Sequence, residues 1–166
     1  HKSGVKMKRF HHFFILMSSC FFLFTEAEKT LAQSYTELED GWLLIKWKVP
    51  TTHSQFDDER VWFCSKDDIT ALKIFTDNSK DKEELKRNII DLAGENIIEQ
   101  GEKNYNGLWS FWASTTYDTW PDYWVWCIGF FDDTIDPFVI VIYFKKDNDL
   151  ATKIAGDIYT SFRKLE

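Results

Sequence analysis

Glycine and proline are scarce, seven and three in 166 residues. So few leave little room for long flexible linkers and exclude a collagen-like chain. With 44% hydrophobic and 28% charged residues, the composition also excludes an intrinsically disordered chain and a coiled coil. No internal repeat or low-complexity segment is present. No apolar run reaches the ~20 residues of an ordinary membrane span. The phosphate-binding loop, the Gly-rich dinucleotide fingerprint and the Gly-x-Ser-x-Gly nucleophile elbow are all missing. Beyond residue 32 the chain keeps one histidine, His53, and two cysteines, Cys64 and Cys127. A zinc site therefore lacks its ligand set.

Basic charge is in deficit as well. Five of the 20 Lys and Arg and two of the 27 Asp and Glu lie in residues 1–32, so residues 33–166 carry a formal charge of −10. Such a surface repels phosphate backbones and anionic headgroups, which argues against nucleic acid and membrane surfaces as partners. It favours solubility and remains compatible with metals or basic proteins.

What the sequence does have begins at Met7, which reads as a start and makes residues 1–6 upstream sequence. Lys8 and Arg9 precede an apolar stretch from Phe13 to Phe24, broken only by Ser18, Ser19 and Cys20. A positive segment followed by about a dozen apolar residues has the form of a secretory signal peptide. Cleavage is expected near Ala32 or Gln33, with Ala27 as an earlier alternative. Residues 1–32 would be removed and 33–166 would form a single globular domain, secreted or periplasmic. A lipoprotein anchored at Cys20 is the alternative. It is disfavoured because Met17 is a poor match to the lipidation pattern and Phe21 to Phe24 continue the apolar run.

Alternation of Ile45, Trp47 and Val49 with Lys46 and Lys48 predicts a half-exposed strand within 42–49. Pro50 to Arg60 is polar and reads as a loop. Strands at 61–65 and 69–76 flank a turn at Lys66-Asp67-Asp68. A helix over about 80–93 starts at Asn78 or Ser79, carries Leu85, Ile89 and Leu92 on one face, and stops at Gly94. Strands follow at about 97–103, 108–117, 123–131 and 138–144. An Asn106-Gly107 hairpin joins the first two of these. The last two are apolar on both faces and belong in the middle of a covered sheet. A closing helix over about 149–163, capped at Asp147, Asn148 or Asp149, carries Leu150, Ile154, Ile158 and Phe162.

This order of strands, helix, antiparallel strands and closing helix resembles the PsbP-like superfamily. The likeness rests on Gly41-Trp42 before the first strand, Leu85 and Ile89 on the helix, Glu95-Asn96 before the next strand, Asn106-Gly107, Ala113, and Ser161-Phe162 at the end. It implies an α+β fold, an α/β/α sandwich with a mostly antiparallel central sheet and two main helices. It implies binding or accessory function more than catalysis and carries over no site residues; no cofactor is expected.

Three groups of residues merit chemical scrutiny. His53 sits in the polar loop among Ser54, Asp57, Asp58 and Glu59, so a small hydrolase using a Ser–His–Asp relay is conceivable, but an exposed loop histidine explains it better. Asp132-Asp133-Asp136 and Asp147-Asn148-Asp149 offer clustered oxygens without calcium-loop spacing, and turn and cap chemistry explain them. Aromatic residues crowd 108–126. Trp120, in a loop beside Pro121, is the one that core packing explains least, and with Tyr117, Tyr123 and Trp112 it forms the candidate binding set. Cys64 and Cys127, in an exported chain, leave open either a disulfide or two thiols. The expected function is that of an exported, non-catalytic accessory protein contacting another envelope or secreted protein. A small-ligand or glycan binder using residues 108–126 is the alternative.

Overall fold

The two doubly apolar strands lie where that pattern predicts, at the centre of a seven-stranded antiparallel sheet. The computed structural model describes residues 33–57, 61–65 and 67–166. The export segment, Cys20, Asp58 and Glu59 lie outside them. The central sheet has the order β3-β4-β5-β9-β8-β7-β6. Its strands are β3 (His53–Asp57), β4 (Val61–Ser65), β5 (Thr70–Thr76), β6 (Glu99–Tyr105), β7 (Leu108–Thr115), β8 (Tyr123–Asp132) and β9 (Ile135–Lys145). A second sheet, order β1-β2-β10, comprises β1 (Tyr35–Asp40), β2 (Ile45–Pro50) and β10 (Arg163–Lys164).

Each face of the central sheet has its own core. Helix α1 (Lys82–Ala93) lays Leu85, Ile89 and Ala93 over Phe111, Ala113, Val125, Cys127, Val139 and Val141. On the opposite face, helix α2 (Asp149–Ser161) and strand β2 cover Leu72, Ile74, Ile128, Phe130, Ile140 and Ile142. Ile154 and Ile158 dock there from α2, as their spacing predicts. The architecture is thus an α+β sandwich with an antiparallel sheet between helical layers, and the small sheet shares the α2 layer. Residues 35–166 make one compact unit.

Local chemistry fixes the ends of the elements. Asp81, not Asn78 or Ser79, caps α1, its carboxylate accepting from Glu84 N at 2.8 Å. Glu84 reaches back to Lys80 N at 2.8 Å, so the Asp-x-x-Glu pair ties both sides of the helix start. Gly94 ends α1 at φ 76°, its N–H donating to Ile90 O. Asn148 caps α2 through Ala151 N at 2.9 Å. Asn106 and Gly107 both take positive φ in the β6–β7 turn, as a tight hairpin requires. Asn106 Nδ2 also donates to Thr160 O and Phe162 O, tying that hairpin to the end of α2.

Some expectations are corrected. Residues 53–57 form a strand, not a loop, because β4 offers an open edge for them. Trp42 stands on the β1–β2 turn, 76% exposed, and the strand proper begins at Ile45. Leu92 lies 38% exposed at the rim of the α1 face, and Ala93 fills the core position instead. Trp124 and Trp126 are only half-buried, although they pack against the α2-side core.

Candidate functional site

The loop between β7 and β8 is built from two consecutive turns. Trp120 N donates to Tyr117 O at 2.9 Å, and Tyr123 N donates to Trp120 O at 3.1 Å. These bonds fix the Trp120 backbone, and the residue is 54% exposed on the α1 face of the sheet. Its ring stands at 86° to Tyr123, centroids 6.0 Å apart, and at 53° to Tyr143, 6.2 Å apart. The three rings wall a cavity of about 340 Å³ that is completed by Cys64, Asp68, Thr70 and Ala71. Cys64, Ala71 and Tyr143 are successive partners across β4, β5 and β9, so one row of the sheet lines the cavity.

Asp68 stands in the β4–β5 turn at φ 52°. Its N–H donates to Ser65 O, and its carbonyl accepts from the Tyr123 hydroxyl at 2.5 Å. The turn is therefore pinned to the aromatic wall. Among the described residues, the Asp68 carboxylate receives the weak thiol donor of Cys64, at 3.3 Å. Burial, with the neighbouring Asp68, raises the Cys64 thiol above its ordinary range, so this sulfur is no activated nucleophile.

The candidate set divides between the two faces. Trp120 and Tyr123 meet in this cavity. Tyr117 closes the base of the loop, donating to Leu92 O at 2.7 Å and lying 3.6 Å from Cys127 Sγ. Trp112 faces the other way and lines a second cavity of about 300 Å³ with Tyr105, Trp126, Ile128 and Tyr159. Its indole lies flat over Gly101, where an added Cβ would meet the ring at 3.2 Å. Trp42 was not expected as a surface feature, since Gly41-Trp42 reads as a strand entry.

His53 is corrected from exposed loop to buried strand. Its Nε2 lies 2.7 Å from Thr70 Oγ1, and its Nδ1 is buried without a partner. Burial lowers its pKa to about 4, so the ring is neutral at pH 7. No carboxylate sits on Nδ1 to complete a catalytic relay. The acidic pairs also have structural employment. Asp132 accepts from Thr134 in its turn and from Lys164 Nζ at 3.0 Å, and Asn148 caps α2. Among the described residues no cluster of ligating side chains could hold a metal ion, and no helix is long and apolar enough to cross a membrane.

The disulfide alternative fails on strand order. Strands β5 and β9 lie between Cys64 on β4 and Cys127 on β8. Three steps at ~4.8 Å make about 14 Å, beyond the ~7 Å that a bridge tolerates. Both are free thiols, Cys127 buried and raised to about 11.

The fold, an antiparallel sheet sandwiched between helices, is shared with solved structures of two other proteins. The crystal structure of the Ran-binding protein Mog1p of Saccharomyces cerevisiae superposes with a TM-score of 0.53 at 11% identity, covering 81% of this chain and 97% of that one. The solution structure of PsbP from the cyanobacterium Synechocystis gives 0.59 at 11% identity, covering 80% and 93%. A Mog1 point mutant gives 0.51 at 12% identity, covering 80% and 97%. Identities this low establish a shared fold. No family model and no curated protein sequence matches the chain.

Proposed function

We propose that this protein is an exported, non-catalytic accessory protein of the cell envelope or extracellular space, and that it acts by binding another protein through the Trp120 pocket. The observation that carries this reading is Trp120, its backbone fixed by two hydrogen bonds and the residue 54% exposed where it lines a cavity. Burying a Trp face against a partner is a large apolar gain at small entropic cost, since the loop is already ordered. The fold points the same way, because Mog1p is described as Ran-binding. The signal-peptide pattern that follows Met7, within residues 1–32, supports the location. With His53 buried and no relay around it, a small hydrolase has little support.

The test is a partner isolated with the full chain, identified, and reconstituted from purified components. Trp120→Ala should weaken that binding about thirtyfold, as at a central contact residue. Unchanged affinity, with the fold intact by circular dichroism, would reject the pocket as the contact. N-terminal sequencing of the exported chain tests the location: a mature end between Glu28 and Ser34 is expected, and a lipidated Cys20 would replace export by anchoring.

A second reading has one specific observation in its favour. The Tyr105, Trp112, Trp126 and Tyr159 cavity combines flat apolar rings with Glu99, Lys103 and Thr160, a mixture suited to a small polar ligand such as a sugar. Saturable glycan binding lost in Trp112→Ala but kept in Trp120→Ala would favour this reading over the first.

A further inference from the structure

Four aromatic rings of this molecule carry one of the chain's own lysines over a face. Lys82 lies 5.3 Å from the Trp109 ring, Lys86 5.3 Å from Phe111, Lys103 4.8 Å from Tyr105 and Lys146 4.7 Å from Trp124. Among the described residues no such ammonium sits over Trp120 or Tyr123, and no basic side chain lines their cavity. The cavity lining instead includes Asp68, whose carboxylate, among the described residues, accepts a hydrogen bond from the Cys64 thiol. Two perpendicular ring walls, a third tilted ring and an acidic residue in the lining are the elements that attract an organic cation. Each ring face carries negative potential, and the carboxylate adds a full charge. The acidic excess of residues 33–166 would draw a cation toward the site over a longer range.

We propose that the Trp120–Tyr123–Tyr143 pocket is a cation box that receives the lysine or arginine head of a basic segment on the protein partner. This deepens the protein-contact reading above and rests on it for the source of the cation. At about 340 Å³ the cavity is at the small end of ligand pockets, which run from ~300 Å³ upward. It suits one side-chain head rather than a folded peptide. The pinned Asp68 turn and the doubly bonded Trp120 loop mean that the box is formed before the cation arrives.

The test is NMR titration of the full chain, with the Trp120 indole N–H signal identified by its loss in Trp120→Phe. The probes are blocked Gly-Lys-Gly and Gly-Arg-Gly, their norleucine analogue, and tetramethylammonium. Both basic peptides should shift the signal saturably, norleucine should not, and Asp68→Asn should weaken binding about tenfold. Asn is chosen because it tolerates the positive φ of this turn while removing the charge. Equal binding of norleucine, or unchanged affinity in Asp68→Asn, would overturn the cation box. Binding of tetramethylammonium without the peptides would overturn the partner side chain in favour of a free small cation. The two proposals fail separately. If the reconstituted partner is lost in Trp120→Ala but kept in Asp68→Asn, the contact stands and the cation box falls. If the basic peptides bind but the partner ignores Trp120→Ala, the box stands and the protein-contact reading falls.

Discussion

His53 shows how burial decides what a side chain does. Its ring packs between β3 and β5 with one nitrogen on Thr70 and the other unpartnered, and this environment favours the neutral form. Unfolding returns it to a pKa of 6.5, so between pH 6.5 and about 4 the unfolded chain binds the extra proton and stability is lost as the pH is lowered. This group should therefore add about 2 kcal/mol of pH-dependent stability, complete above pH 6.5 and gone near pH 4. Urea midpoints from pH 7 to 4.5 check this: the His53→Gln chain should show a shallower decline than the unsubstituted one, and parallel curves would contradict it. Gly129 decides packing in a similar way. A Cβ there would lie 2.8 Å from Leu85 Cγ and 3.0 Å from Ile89 Cγ1, so α1 rests directly on this glycine. Gly129→Ala should destabilise by ~1–3 kcal/mol, read as a lower denaturant midpoint. Trp120 was legible as a surface group because a Trp between Asp118 and Pro121 has no strand to belong to. The burial of His53 was not legible. Its neighbours Thr51, Thr52 and Ser54 are polar, and the residue that receives it, Thr70, is recruited through the β3–β4–β5 ladder.

Among the elements, the two helices and the strands of the β5–β9 region announce themselves through period, caps and turns. Ile154 and Ile158 on α2 are fully or nearly fully buried. Truncating Ile158 to Ala should cost ~2–5 kcal/mol in a chemical denaturation series, and a negligible change would mean that this face is not the docked one. The missed elements lack such signals. Strand β1 has one partly buried aliphatic residue, Leu38, and is held by pairing with β2, by Tyr35 donating to Asp157 at 2.5 Å and by the Arg163–Glu37 ion pair. Strand β10 is two residues long and exists because β2 has a free edge beside the end of α2. Such strands are created by tertiary neighbours, so no local pattern encodes them.

On the scale of the whole molecule, one sheet separates two aromatic cavities. The sequence run 108–126 looks like a single aromatic cluster, but strand alternation sends Trp112 and Trp126 to the α2 face, while the β7–β8 loop places Trp120 on the α1 face with Tyr123. That division needs the strand order and the packing of the loop. It is the part of the site that linear sequence hides, and it makes the two faces separable by experiment. The most direct measurement is site-specific photocrosslinking in the native host, with a benzoylphenylalanine placed at Trp120 in one full-length chain and at Trp112 in another. A discrete protein adduct from position 120, and none from position 112, is the predicted result. A protein adduct from position 112 with none from position 120 would contradict assignment of the partner contact to the Trp120 pocket.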